Sequence, residues 1–250
     1  MRTKRHPVRN TTIVLGTALV LIEAFNRMVF RWMGEKHPLS CEDGDFHDFS
    51  RGRFFYKKME CCKENEHKEP ILLLHELSPA VCADSCDELA RQLSKKRTVY
   101  TMDLLGCGRS DKPPIAYVNF FYVLQVSEMI SKVIGQPVHL VAEKNSAAIA
   151  IAAARYNPQL ISRITLLNPI QWEEEKRTPD QKSRIAKKLI ECPVIGTFLY
   201  HVAFGKSTAA HMGGETARYL YASMAGQYTN YDVAWMLEEM DIPVKTIRSV

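Results

Sequence analysis

The sequence lacks several features that would assign it to a common class of protein. It has no low-complexity tract and no internal repeat, and its cysteines form neither a C-x-x-C motif nor the Cys/His spacing of a zinc site. Its pair of glycines at Gly106 and Gly108 is too short a pattern for a dinucleotide-binding loop. The sequence therefore implies no metal, nucleotide or redox cofactor.

A strong excess of charge is also missing. The formal net charge is +5, and four positive charges lie within the first ten residues. The rest of the chain is close to neutral, so no nucleic-acid-binding surface is predicted. With 250 residues, 46% of them apolar, the chain can form one sizeable core and a small accessory domain.

The seven cysteines do not form an obvious disulfide pattern, because their number is odd. Cys61 and Cys62 are adjacent and pair poorly with each other, whereas Cys82 and Cys86 would share one face of a helix. This arrangement favours free thiols in a reducing compartment.

The N-terminus contains no uninterrupted apolar run of the roughly 20 residues that a bilayer-spanning helix needs. The clean run, 11–22, is followed by Glu23 and Arg27, whose side chains can extend to the membrane surface. We predict an uncleaved, single-pass membrane anchor within residues 1–33. A signal peptide, without an A-x-A cleavage site here, and a surface-lying amphipathic helix are the alternatives.

The side of the membrane on which the main domain lies stays open. The leading cluster of basic residues favours a cytoplasmic N-terminus, which would place the main domain outside. Free cysteines favour the opposite arrangement.

Four short apolar runs, each ending at a polar or glycine-rich break, organise the centre of the chain. Helix-like segments separate them, a pattern typical of a parallel sheet with crossover helices. The runs are 71–74, 99–102, 138–141 and 164–167. The predicted organisation is an anchor in 1–33, a linker in 34–50, an α/β core in 51–169, a helical insertion in 170–240 and the start of a further strand in 241–250.

Two of the strand ends resemble those of the α/β-hydrolase family. In that family the strand before the oxyanion loop ends in His-Gly, and the next strand ends in D-x-x-G-x-G-x-S. Here the first reads His75-Glu76, and residues 103–113 read DLLGCGRSDKP. The sequences of residues 104–108 and 193–200 are similar to those of bacterial members of the family that have an N-terminal hydrophobic segment.

This resemblance implies an α/β fold: a mostly parallel sheet with helices on both faces, a helical cap insertion in 170–240 and an N-terminal hydrophobic helix. It also implies hydrolysis of esters or other acyl substrates, so a small acyl or lipid-like molecule is the expected ligand. The membrane is the expected partner of the N-terminal helix. The basic face formed by Lys182, Arg184, Lys187 and Lys188 fits a solvated helix surface or contact with acidic lipid head groups.

The nucleophile of the family sits on a tight strand-to-helix turn, and two registers fit the sequence here. In one register Ser146 is the nucleophile-equivalent, a serine that would otherwise cap the following helix. In the other, Lys144 takes that position and the hydroxyl is lost. In the bacterial group the serine lies in a longer A-x-G-x-S-x-S stretch, and this resemblance favours Ser146 as the nucleophile-equivalent.

The oxyanion hole would use the backbone N–H after the nucleophile, that of Ala147 in the Ser146 register, and one from the loop after His75. Glu76 replaces the usual glycine of that loop, and a carboxylate pointing inward would oppose a developing oxyanion. The predicted oxyanion loop therefore contains His75, Glu76 and Ala147, with one unfavourable substitution.

The family's catalytic triad also needs an acid and a histidine, and both positions are altered here. Asn168 stands where one acid of the family would lie, and the histidines that follow, His201 and His211, fall in the helical insertion. The chain ends at Val250, before the last strand and its histidine, so a truncated version of the fold is expected. The sequence thus predicts an impaired or inactive serine hydrolase, or else a pseudo-hydrolase that binds a lipid or a partner at the membrane.

Overall fold

The computed structural model describes residues 7–36, 39–61, 68–170, 179–230 and 232–248. Within these ranges the chain forms a seven-stranded sheet in the order β1-β2-β4-β3-β5-β6-β7. The first two pairings, β1 with β2 and β2 with β4, are antiparallel, and the others are parallel. The strands are β1 (Asp45–Phe49), β2 (Gly52–Met59), β3 (Ile71–Leu74), β4 (Val99–Met102), β5 (Val138–Glu143), β6 (Ile161–Leu167) and β7 (Val244–Ile247).

Helices precede, connect and extend this sheet. They are α1 (Pro7–Lys36), α2 (Asp87–Ser94), α3 (Asn119–Glu128), α4 (Ser146–Tyr156), α5 (Gln181–Glu191), α6 (Pro193–Phe204), α7 (Arg218–Ala225) and α8 (Ala234–Glu238). A π-helical turn, Met129–Ile134, continues α3, and short 3-10 turns cover Ala83–Cys86, Ala209–His211 and Gly214–Ala217.

The apolar runs form the buried centre of the sheet, as the sequence predicts. All four residues of β3 are buried, because parallel neighbours lie on both sides and helices cover the faces. Residues of α3 and α4 join the main hydrophobic core on one face, and Ala90 of α2 belongs to a smaller cluster on the other. The alanine-rich α4 is buried from Ser146 to Ala154, since small side chains allow close packing on the strands.

Helices α5, α6 and α7 lie between β6 and β7, in the region where the sequence predicts a helical insertion. The N-terminal helix α1 packs against α6. The Asn26 side-chain amide donates to the Val194 carbonyl at 3.0 Å, and the Phe25 and Phe198 rings meet edge to face with centroids 5.7 Å apart. The C-terminal part of α1 is therefore joined to the body of the protein.

The structure differs from the sequence expectation in the segment 34–50, where a linker was predicted. Five of these residues form β1, an edge strand whose partner is β2. Its sequence, Asp-Phe-His-Asp-Phe, has no continuous apolar run, and the strand is held by pairing with β2 and by Phe46 and Phe49, whose rings pack on Phe55 and Phe54.

Some predictions concern parts of the chain outside the described residues. These are the N-terminal basic residues Arg2, Lys4 and Arg5, and the side chain of Arg9. The six described cysteines, Cys41, Cys61, Cys82, Cys86, Cys107 and Cys192, are free thiols.

Candidate active site

The turn between β5 and α4 has the backbone geometry of a nucleophile elbow at Lys144. β5 ends at Glu143, α4 begins at Ser146, and Lys144 has a φ of +49°. A non-glycine residue in this left-handed region costs roughly 1–3 kcal/mol and persists only where the surrounding structure imposes it. Lys144 therefore lies at the strained position of the turn.

The side chain of Lys144 forms an ion pair with Glu76, the residue that follows His75 after β3. The Lys144 Nζ and Glu76 Oε2 atoms are 2.5 Å apart, and the lysine side chain is 49% exposed. The hydrogen bond with Glu76 raises the pKa of Lys144 above its ordinary value. The amine is thus a protonated ammonium at neutral pH and is not a nucleophile.

Ser146 lies two residues further on, at the start of α4, and is completely buried. Its Oγ donates to the His75 carbonyl oxygen at 2.5 Å. The backbone N–H of Ala147, the oxyanion donor in this register, donates to the Lys144 carbonyl at 3.2 Å. Both groups that catalysis would need from this register are engaged within the protein.

Asn145, between these two residues, contacts the loop after β3 twice. Its Oδ1 accepts a hydrogen bond from the Leu77 N–H at 2.9 Å, and its Nδ2 donates to the Leu77 carbonyl at 3.0 Å. The Leu77 N–H belongs to the loop that would supply the second oxyanion donor. Sequence reasoning missed this pair, and its signal was weak: a single amide directly after the elbow position.

His75 is a buried, neutral histidine that connects the same loop to the end of β4. Its Nε2 accepts from the Leu104 N–H at 3.1 Å, so the proton resides on Nδ1, which donates to the Glu76 carbonyl at 2.7 Å. Burial lowers the pKa of His75, which keeps the ring uncharged. The residue predicted for the oxyanion loop therefore holds backbone groups in place.

The motif at residues 103–113 forms a tightly bonded turn after β4. Asp103 is fully buried, and its carboxylate accepts from the N–H groups of Ala83 at 2.6 Å and Arg109 at 2.7 Å. The Ser110 Oγ donates to the Asp103 carbonyl at 2.7 Å and accepts from the Phe55 N–H at 2.9 Å. The conspicuous motif thus fixes β2, β4 and the turn to one another.

The other predicted site residues lie in different surroundings. Asn168 follows β6 directly, with a φ of +47°, and its N–H donates to the Ile247 carbonyl. His201, on α6, faces α1: its Nδ1 lies 3.2 Å from the Asn26 Oδ1 and its ring packs on Phe30. The side chain of His211 is outside the described atoms. His201 thus serves the contact between α1 and α6.

Comparison with known proteins agrees with this architecture. The family model of the alpha/beta hydrolase fold matches residues 69–184, whereas no curated protein matches the chain by sequence. A probable hydrolytic enzyme from Pseudomonas aeruginosa PAO1 is 17% identical, with a TM-score of 0.64 over 82% of this chain and 72% of that one. A meta-cleavage product hydrolase from Pseudomonas fluorescens IP01 is 15% identical, with a TM-score of 0.61 over 84% and 80%.

A bacterial membrane phospholipase A gives the most extensive overlap of the three. It is 14% identical, with a TM-score of 0.57, and the likeness covers 97% of this chain and 80% of that one. Such coverage includes most of α1, whereas the other two likenesses leave more of the chain out. At 14–17% sequence identity, the similarity to these structures shows a shared fold and nothing more. The sheet order and these structures show that the chain has the α/β-hydrolase fold, and the family model matches a little under half of it.

Proposed function

We propose that this protein is a membrane-anchored α/β-hydrolase-fold module that lacks serine-hydrolase activity and acts by binding a lipid-like ligand. The observation that carries the absence of hydrolase activity is the ion pair between Lys144 at the elbow and Glu76 in the loop after β3. A protonated amine replaces the nucleophile, and a carboxylate lies where developing negative charge would have to be stabilised.

Neither register of the elbow supports the chemistry. In the Lys144 register the reacting group is an ammonium, and the Leu77 N–H is already bound by Asn145. In the Ser146 register the hydroxyl is buried and bonded to His75. An acyl-transfer site needs a free nucleophile and free N–H donors about 3 Å from the same oxygen atom, so we assign no catalytic role to this turn.

Membrane association is supported by α1. Residues Asn10–Trp32 form a helix that is long and apolar enough to cross a membrane. Only 6% of its most apolar 18-residue stretch is buried inside the protein. A signal sequence has the same composition, but Asn26 of α1 is buried in a hydrogen bond to α6. A segment that contributes a buried contact to the folded protein fits a retained anchor better than one removed by cleavage.

Ester hydrolysis by Ser146 is the second candidate function. It is favoured by the position of Ser146 at the start of α4, next to the loop after His75, and by the hydrolase names of the similar structures. It requires the Ser146 hydroxyl to leave the His75 carbonyl and become accessible to a substrate.

An ester-hydrolysis assay separates the two candidates. The full chain in detergent and its Ser146→Ala variant would be compared on p-nitrophenyl esters of short and long acyl chains, with Ser223→Ala as the matched substitution at another buried serine. We expect the same background rate for all three proteins. A rate above background that Ser146→Ala abolishes and Ser223→Ala retains would establish the second candidate.

A further inference from the structure

A groove of about 720 Å³ lies between α1 and the end of α6. Phe25, Val29 and Trp32 of α1 form one wall, and Val202 and Phe204 of α6 contribute to the other. Its volume falls within the range of about 300–1,000 Å³ that small-molecule sites occupy. The groove is separate from the turn at Lys144, which does not line it.

The α1 wall of this groove continues into the part of α1 that we assign to the membrane. Exposed apolar side chains recur along α1 at spacings of seven, four, three and four residues, which place them on one face of the helix. They are Val14, Leu21, Phe25, Met28 and Trp32. An apolar chain lying against the membrane segment can therefore enter the groove without leaving an apolar surface.

The inner end of the groove reaches the loop that follows His75. Ala80 of this loop lines the groove, and its carbonyl accepts a hydrogen bond from the Ser207 hydroxyl at 2.7 Å. Lys206 also lines the groove, is exposed, and forms no ion pair with any residue in the described ranges. Its ammonium is complementary to a carboxylate or phosphate.

We propose that this groove binds the acyl chain of a single-chain lipid with an anionic group in its head, which enters from the bilayer along α1 and pairs with Lys206. A free fatty acid and a lysophospholipid share this chemistry. The inference rests on the membrane anchoring proposed above and deepens it, because it names the ligand class and the site.

Photo-crosslinking tests the groove directly. The full chain, in phosphatidylcholine nanodiscs, is labelled with a palmitate analogue that carries a diazirine close to the carboxylate, the end that the proposal places beside Lys206, and the modified residues are mapped by mass spectrometry. We expect saturable labelling of residues 201–207 that excess unlabelled lipid removes. Competition by palmitate or by lysophosphatidylcholine identifies which head group binds.

Matched variants locate the binding. Ala203→Trp fills the groove from an exposed position, so we expect it to abolish the competable labelling; Ala116→Trp, at an exposed alanine that does not line the groove, should retain it. Labelling confined to residues 10–21, or labelling that competitor does not reduce, would overturn the groove. A dimer in which a second copy of the chain covers the groove and excludes the label would also overturn the proposal.

The anchoring is tested separately, so that the two failures can be told apart. A chain that does not insert into nanodiscs would overturn the anchor, and the same labelling in detergent micelles would then decide the groove. An inserted chain without competable label would overturn only the groove.

Discussion

At the turn after β5, three consecutive side chains bond to the loop after β3. Lys144 pairs with Glu76, Asn145 binds both backbone groups of Leu77, and Ser146 donates to the His75 carbonyl. The elbow and the oxyanion loop therefore form one internally satisfied unit. In the function proposed above, these groups hold the two loops together instead of contacting a substrate.

Asn145→Ala should destabilise the protein by about 1–3 kcal/mol, because it leaves the buried Leu77 N–H without its partner. Urea unfolding of the full chain measures the change. The control is Gln136→Ala, an exposed amide, which should change the free energy of unfolding by less than about 0.5 kcal/mol. Equal effects of the two substitutions would contradict the role assigned to Asn145.

The stability of the protein depends on pH through His139 of β5. Burial, assisted by Arg163, lowers the pKa of His139 from 6.5 to about 4. The unfolded chain therefore binds this proton at a higher pH than the folded one, so His139 makes the free energy of unfolding fall as pH decreases from 6.5 to 4. His75, with its lowered pKa, acts in the same direction.

Urea midpoints measured between pH 7 and pH 4 test this effect. His139→Gln keeps a polar partner for Thr165 and removes the titrating group, so its midpoint should fall less steeply than that of the wild type. The same substitution at His47, on the edge strand, controls for the loss of a histidine. Parallel slopes for wild type and His139→Gln would show that His139 does not contribute.

The turn after β4 requires glycine at position 108. Gly108 has a φ of +49°, and a Cβ there would lie 2.3 Å from the Asp103 Oδ2 and 2.6 Å from the Cys82 Cβ. That carboxylate is fixed by the N–H groups of Ala83 and Arg109. The turn therefore has no room for a side chain.

Gly108→Ala should cost at least about 3 kcal/mol, since strain and the clash add. The matched control is Gly135→Ala, at a φ of +76° with nothing within 4 Å of the added atom, which should cost only about 1 kcal/mol. Thermal unfolding of both variants gives the comparison. Similar losses would mean that crowding at Gly108 is relieved by movement of the turn.

Much of this fold can be predicted from the sequence, because its central strands are continuous apolar runs and its turn at residues 103–113 has a specific motif. Strand β1 could not be predicted, since it is an edge strand held by pairing with β2. The register of the elbow depends on where β5 ends, and that is fixed by pairing of Glu143 with Leu167 in β6. Such contacts between distant residues leave no local pattern, so the choice between Lys144 and Ser146 stayed open.

Helix α1 combines an exposed apolar segment with an end that packs against α6. Val14 and Leu21 are exposed, whereas Asn26 is buried against α6 and binds the Val194 carbonyl. One helix thus joins the proposed anchor to the helical insertion between β6 and β7. The arrangement would hold the groove beside α1 close to the bilayer.

The full chain should stay in the membrane fraction after extraction with alkaline carbonate, because α1 has the length and composition to span a bilayer. Leu15→Arg combined with Leu19→Arg should release it, since each charge in a spanning helix is costly. A matched double substitution to methionine controls for the loss of leucine. A soluble chain, or a mature protein that lacks the apolar segment, would contradict the anchor.

The most direct test of the central claim is the mass of the intact protein after exposure to a fluorophosphonate probe, which forms a covalent adduct with active serine nucleophiles. A known serine hydrolase in the same tube confirms that the probe is reactive. We predict an unmodified chain, because Lys144 is at the elbow and Ser146 is buried against His75. A stoichiometric adduct that maps to Ser146 would contradict the account.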